Sequence, residues 1–223
     1  MLRGSAAHVF VELDLGVERI QPAPEVAHHL FRVLRLRDGA SVTVSDGRGR
    51  WRPTVVDGDE LLAVGDVETV PADRPCRIAV AAPKGERFDW LVEKLTEVGV
   101  SDLALIVTRR AVVRWDDDRA VRRLERARRI ALEAAAQSRR VWLPTIHGPL
   151  GLDEVLQHPG TVVGDPDGTP LVAAEQIVIG PEGGFAPDEI PDGVPRVRLA
   201  DTVLRVETAA VVAAVRLRAL HGE

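Results

Sequence analysis

Residues 8–13 (HVFVEL) and 41–46 (SVTVSD) alternate apolar and polar positions, the period of a strand with one buried face. The stretches 51–57 (WRPTVVD) and 60–68 (ELLAVGDVE) continue the series. Asp38-Gly39, Asp46-Gly47-Arg48-Gly49 and Asp57-Gly58 separate them with turn-forming residues. Between the first two strands, Pro24 to Leu36 carries Val26, Leu30, Val33 and Leu34 at helical spacing. The first 71 residues therefore read as a small, mostly β domain with one helix. Pro71-Ala72-Asp73-Arg74-Pro75 follows as a linker, because two prolines in five residues resist both helix and sheet.

From residue 74 to 223 the pattern changes. CRIAVAA (76–82), DLALIVT (102–108), TVVG (161–164), QIVIG (176–180) and VRL (197–199) are short apolar runs without polar alternation. Helical periodicity separates several of them. Glu86–Val98 spaces Phe88, Leu91, Val92, Leu95 and Val98 on one face before Gly99. Asp117–Ser138 turns Val121, Leu124, Ile130, Ala131 and Ala134 inward, and a last helix runs from about Glu207 to Leu220. Apolar strands alternating with helices predict an α/β domain whose parallel sheet is covered on both faces.

Composition narrows the functional classes. The 223 residues are 45% hydrophobic and contain no apolar stretch of membrane-spanning length, and the N-terminal residues have no signal-peptide pattern, so a cytoplasmic protein is expected. Cys76 is the single cysteine, which leaves no intramolecular disulfide and no cysteine-based zinc cluster, and metal-free chemistry is expected. His28 and His29 are adjacent and project apart from a helix, while His147, His158 and His221 lack neighbours at ligand spacing. A net charge of −5 argues against indiscriminate coating of nucleic acid. Of the 29 basic residues only Lys84 and Lys94 are lysine, and eight arginines fall between Arg119 and Arg140. Guanidinium groups suit phosphate contacts and base stacking. Trp51 and Trp115 are either stacking platforms or packing residues.

Ligands of parallel sheets bind at the carboxyl ends of the strands. There the chain places Gly180-Pro181-Glu182-Gly183-Gly184. Glycines let backbone approach a ligand closely, but the acidic Glu182 and the lack of a phosphate-loop spacing exclude a phosphate cradle. A ligand with cationic and hydrogen-bonding groups fits better. A second loop, LADTVLRVETAA (199–210), brings Arg205, Glu207 and Thr208 together before the last helix. As structure alone, Glu207 or Thr208 would cap that helix and Arg205 would pair with a carboxylate.

GPEGGFAPDEI (180–190) followed by LxxxxLRxETAA (199–210) resembles the C-terminal signature of the SPOUT methyltransferases, specifically the bacterial 16S ribosomal RNA uridine-N3 methyltransferases. HHLFRVLRLRDGA (28–40), KGERFDWLVEKLTEVGV (84–100) and RRIALEAAAQSRR with Pro144 resemble further segments of that family in the same order. The resemblance implies a PUA-like β-barrel RNA-binding domain over 1–71. It implies a SPOUT methyltransferase domain over 74–223 with a C-terminal trefoil knot, S-adenosylmethionine as cofactor and a homodimer as the assembly. The cofactor pocket would be lined by Gly180, Glu182, Gly183, Gly184, Leu199, Leu204 and Thr208. The partner would be 16S rRNA or the assembled small subunit, without metal or membrane, and Arg32, Arg35, Arg48, Arg50, Arg109 and Arg110 would be the candidate RNA contacts.

Uridine N3 must lose a proton before it accepts a methyl group, which calls for a base and for a cation beside the ring oxygens. Glu207 is the expected base and Arg205 the expected anion stabiliser; Glu182 is the alternative base. Ala200, Thr202, Val206, Arg109, Ala136 and Arg139 depart from the family's usual residues. Two rival readings are a dinucleotide-dependent oxidoreductase, which would need a glycine fingerprint that Ala82-Pro83-Lys84-Gly85 does not supply, and a non-catalytic ribosome-assembly factor.

Overall fold

Two separate apolar clusters organise the chain, and each belongs to one of two compact units in the computed structural model, which describes residues 2–12, 14–111 and 117–222. The first unit comprises residues 1–73 together with 132–143; the second comprises 74–131 and 144–223.

In the first unit the strands are β1 (Ala7–Phe10), β2 (Arg19–Ile20), β3 (Ser41–Ser45), β4 (Arg50–Asp57), β5 (Glu60–Ala63) and β6 (Glu68–Thr69), and a short helix α1 (Pro24–Ala27) follows β2. They form a mixed sheet of order β1-β3-β4-β5-β2 with β6 beside β4; β1 runs parallel to β3 and the other pairs are antiparallel. Val9, Val42, Val44, Val56 and Leu61 meet Leu30 in its core.

The sequence expectation of a helix over 24–36 is corrected in part. After one α-turn the backbone widens to π geometry over His28–Val33 and ends where Arg35 adopts φ 54°. That changed periodicity buries Leu30 and leaves Val33 and Leu34 largely exposed.

The second face of β3 is also covered. His8 accepts from the Thr43 hydroxyl at Nδ1 (2.8 Å) and donates from Nε2 to the Arg140 carbonyl (3.0 Å). Burial pushes the His8 imidazole down to about 4. The Ser45 hydroxyl reaches the carbonyls of Arg50 and Val141, and Trp142 Nε1 donates to the Val70 carbonyl. The Asp46–Gly49 turn is glycine-rich for this packing as well as for its positive φ, because a Cβ on Gly49 would stand 2.4 Å from the Trp142 ring. Trp51 is buried here, so it packs rather than presenting a free face; Trp115 lies outside the described residues.

The second unit contains β7 (Arg77–Ala81), α2 (Glu86–Glu97), β8 (Asp102–Val107), α3 (Asp117–Gln137), β9 (Thr145–Gly151), α4 (Leu152–Leu156), β10 (Thr161–Pro170), β11 (Gln176–Ile179), β12 (Arg196–Arg198) and α5 (Val206–Leu220); the last turns of α3 count with the first unit. Its six strands are all parallel in the order β12-β10-β11-β7-β8-β9. The period of two sorts side chains by size. Ile78, Val80, Leu103, Leu105, Ile177 and Ile179 face α2, α5 and Ala127 and Ala131 of α3. Ala79, Ala81, Ala104, Ile106 and Val178 face the short α4 and the segment around Ile190. Small residues on that second face suit its thin cover. Val121, expected inward on α3, is instead more than half exposed, while Ala127, Ala131 and Ala134 are buried.

Candidate functional site

The carboxyl ends of β7, β8, β11 and β12 emit the segments that carry most of the expected chemistry. β7 leads through Gly85, at φ 63°, into α2, and Arg87 stands in the first turn of that helix. β11 leads into Gly180–Gly184, where the Pro181 carbonyl accepts from the Gly184 amide (2.9 Å). Gly184 has φ 65°, and neither Gly183 nor Gly184 has a neighbour close enough to crowd an added Cβ. The loop backbone is therefore accessible to a ligand.

Arg205 occupies the N-cap position of α5 with extended backbone and no side-chain cap, and its carbonyl accepts from the Ala209 amide (2.8 Å). This corrects the expectation that Glu207 or Thr208 caps the helix. Glu207 lies in the first turn, where the helix dipole favours a carboxylate. It is 7% exposed, and its Oε2 has no hydrogen-bond partner among the described residues.

Beside Glu207 stands Arg87, a residue within the KGERFDWLVEKLTEVGV segment that no charge cluster in the sequence marks out. Its Nη1 lies 2.8 Å from Glu182 Oε1 and 3.9 Å from Glu207 Oε2, so one guanidinium joins the glycine loop to α5. An open cleft of about 360 Å³ adjoins this cluster, lined by Glu86, Arg87, Trp90, Arg205, Glu207 and Thr208. The expected catalytic pair Arg205 and Glu207 thus share one cleft with Thr208, and Glu182 is tied to it through Arg87. Leu199 is buried at the end of β12 and Leu204 packs against the same core as α5.

Arg109 and Arg110, expected to meet RNA, also brace the glycine loop. The Arg109 amide donates to Glu189 Oε1 (2.5 Å), and its Nη1 reaches the Pro187 carbonyl (3.4 Å). Arg110 Nη1 donates to the Gly183 carbonyl (3.1 Å). Glu189, buried and unforeseen, accepts a second bond from the Ala186 amide (2.6 Å), so its two oxygens fix the segment after the loop to the end of β8. The four remaining arginines lie in the first unit: Arg32 and Arg35 are exposed around the π-helical segment, Arg48 and Arg50 around the β3–β4 turn, with Arg50 3.8 Å from Asp14. Among the described residues no group of three His, Cys, Asp or Glu side chains is arranged to hold a metal ion, and no helix is long and apolar enough to cross a membrane.

Comparison with known proteins gives this geometry a context. The family model for an RNA methyltransferase domain matches residues 71–218, and that for an RNA methyltransferase PUA domain matches residues 23–67. The ribosomal RNA small subunit methyltransferase E of Mycobacterium bovis is 33% identical over 90% of this chain and 86% of its own, and that of Synechocystis is 32% identical over 86% and 70%. A putative methyltransferase from Legionella pneumophila, solved with its cofactor SAM bound, superposes with a TM-score of 0.80 at 25% identity over 95% of this chain and 96% of its own. The chain belongs to the ribosomal RNA small subunit methyltransferase E family, with an RNA methyltransferase domain and a PUA domain.

Proposed function

We propose that this protein transfers the methyl group of S-adenosylmethionine to N3 of a uridine in small-subunit (16S) ribosomal RNA. The observation that carries the site assignment is Glu207: a buried carboxylate, lining an open cleft, with one oxygen free to accept a hydrogen bond. An N–H donor from a substrate base would satisfy that oxygen, and the same atom would then receive the proton.

The residues present fit the cofactor. The loop at Gly183 and Gly184 leaves open space where side chains would stand, and Glu182 offers a carboxylate to cationic groups. Gly180, Glu182, Gly183, Gly184, Leu199, Leu204 and Thr208 are the residues we assign to it. When bound, S-adenosylmethionine supplies a methyl group on a sulfonium centre. Glu207 takes the N3 proton while the bonding pair stays on the ring, and Arg205 donates to a ring oxygen as negative charge spreads there. With the proton on Glu207 and the ring charge held by Arg205, N3 would be left with a free lone pair to accept the methyl group that the cofactor would supply, the leaving electron pair staying on its sulfur. No metal is needed, because the step depends on orientation and charge placement.

In this reading residues 1–71 close as a PUA-like β-barrel and hold RNA through Arg32, Arg35, Arg48 and Arg50, with Arg109 and Arg110 contacting RNA from residues 74–223. A trefoil knot is supported by strand order: β12 lies on the side of β10 away from β11, so the chain between β11 and β12 passes β10. Half-exposed Val215 and Leu220 on α5 support burial against a second copy in a homodimer. A ribosomal RNA substrate makes the cytoplasm the place of action.

Calorimetric titration with S-adenosylmethionine, followed by incubation with small-subunit RNA or particles and mass spectrometry of the digested nucleosides, tests the proposal. Saturable binding and formation of 3-methyluridine are expected. RNA binding without cofactor binding would identify an assembly factor instead.

A further inference from the structure

We infer that Arg87 is a specificity residue and that Arg87, Glu207 and Arg205 together read the imide edge of uracil as a donor–acceptor–donor set. The inference rests on the uridine-N3 reading above and adds to it a recognition role for Arg87.

The imide edge of uracil presents a carbonyl, the N3–H and a second carbonyl. Its complement is an acceptor flanked by two donors. The cleft supplies that combination. Glu207 is acceptor-only when ionised, and its Oε2 is buried without a hydrogen-bond partner among the described residues. Arg87 Nη1 lies 3.9 Å from that oxygen, close enough for two adjacent polar atoms of one base to meet both groups. Arg205 lines the same cleft. Glu182 holds the Arg87 Nη1 at 2.8 Å, which fixes the guanidinium, while the rest of its planar fork has no partner among the described residues. Trp90, 42% exposed in the same cleft, offers an aromatic face against which a flipped base stacks.

Cytosine at the same place presents an acceptor at N3 and an amino donor at C4. Its N3 would face the Glu207 carboxylate, and its amino group would face a guanidinium. Both contacts are repulsive, and a buried polar site rejects a ligand that leaves its groups unpaired far more strongly than an apolar pocket rejects a size change. Arg87 thereby contributes to choosing the base as well as to holding the glycine loop.

The test couples base chemistry to the variant. Single-turnover methyl transfer is measured on small-subunit RNA whose target uridine, located first by mass spectrometry with the wild type, is replaced by 2-thiouridine, 4-thiouridine or cytidine. Sulfur is a weak acceptor, so each thio base removes one carbonyl hydrogen bond. The wild type is expected to lose roughly 10- to 100-fold on the thio base whose sulfur faces Arg87, the range for a hydrogen bond to a charged group. Arg87→Ala is expected to be slowed on uridine by the same factor and to show no further loss on that base, while keeping its response to the other. Arg205→Ala is expected to show the converse, and Arg87→Lys to recover part of the sensitivity. Comparing ratios between enzymes cancels the altered N3 acidity of the thio bases. Melting temperatures and cofactor affinities of the variants check folding and the loop. If both thio effects persist at full size in a folded, cofactor-binding Arg87→Ala, Arg87 reads nothing and only braces the loop. Absence of 3-methyluridine with the wild type would instead overturn the underlying reading.

Discussion

A Cβ built on Gly180 stands 2.7 Å from Cε2 of Phe185, so the aromatic ring five residues on occupies the space of a side chain at the start of the glycine loop. Gly180→Ala must push that ring out of a partly buried position. The expected cost is about 1–3 kcal/mol, the range for overpacking. Gly184→Ala meets no neighbour but inherits φ 65°, so its cost is backbone strain of about 1 kcal/mol. Urea unfolding of the two variants separates the terms, and the cofactor affinity of Gly180→Ala is expected to fall further than that of Gly184→Ala. Equal stability of Gly180→Ala and the wild type would show that the ring does not confine the loop.

Glu189 gives the second prediction. Each of its oxygens accepts from a backbone amide, Arg109 and Ala186. Glu189→Gln keeps the shape but turns one acceptor into a donor facing an N–H. An expected loss of about 2 kcal/mol follows from leaving a buried amide unpaired. Hydrogen exchange at Arg109 and Ala186 reports it locally: faster exchange at one or both is expected, and unchanged protection would refute the bracing role.

The parts of this arrangement that are legible in sequence are those written in short-range periodicity. β7, β8 and β11 are unbroken apolar runs, and their alternation between large and small residues is readable because both sheet faces are buried. β9, Thr145–Gly151, escapes that reading: Gly148 and Pro149 interrupt its pattern, which an edge strand tolerates because only one side must pair. The extension of β10 to Pro170 escapes it for a similar reason, since its register shifts between Gly164 and Thr169. Val33 and Leu34 are exposed against expectation because the helix changes period after one turn. Of the site, the two loops are visible as clustered Gly, Arg and carboxylate residues, whereas Arg87 is one of many arginines. Its meaning lies in partners 95 and 120 residues away, which no local pattern carries.

Glu207→Gln removes the proposed base without changing volume. Methyl transfer is expected to fall about 10²- to 10⁴-fold, the usual contribution of a positioned base. Cofactor affinity should stay within a few-fold, because Glu207 is assigned to the nucleobase. Single-turnover rates set beside calorimetric affinities decide the matter. Should Glu182→Gln abolish the chemical step while Glu207→Gln spares it, the base is Glu182.

Arg48 and Arg50 are exposed in the first unit, and their proposed partners are phosphates. Replacing Arg48 by Ala should weaken RNA binding without altering base preference. It should also lower the salt dependence of log K by about 0.7 to 1 for each phosphate that Arg48 neutralises. Binding titrations over a range of salt concentrations measure the slope directly, and an unchanged slope removes Arg48 from the interface.

His8 makes the first unit sensitive to acid. Its imidazole is held neutral by burial, with a pKa of about 4 against 6.5 for the exposed group, and Arg139 further disfavours the charged form. In the unfolded chain the ring takes up its proton near pH 6.5, so between pH 6.5 and 4 the unfolded state binds more protons than the folded one. Stability is therefore fully present above about pH 6.5 and declines as pH falls, and the loss is complete once the folded group also protonates near pH 4. The shift corresponds to about 3 kcal/mol. His8→Gln retains an amide that hydrogen-bonds but does not titrate. Its stability should be lower than wild type at pH 7 and should fall less steeply to pH 4, narrowing the gap by about that amount. Urea unfolding followed at several pH values measures both curves. Parallel curves would mean that the buried ring is not the titrating group.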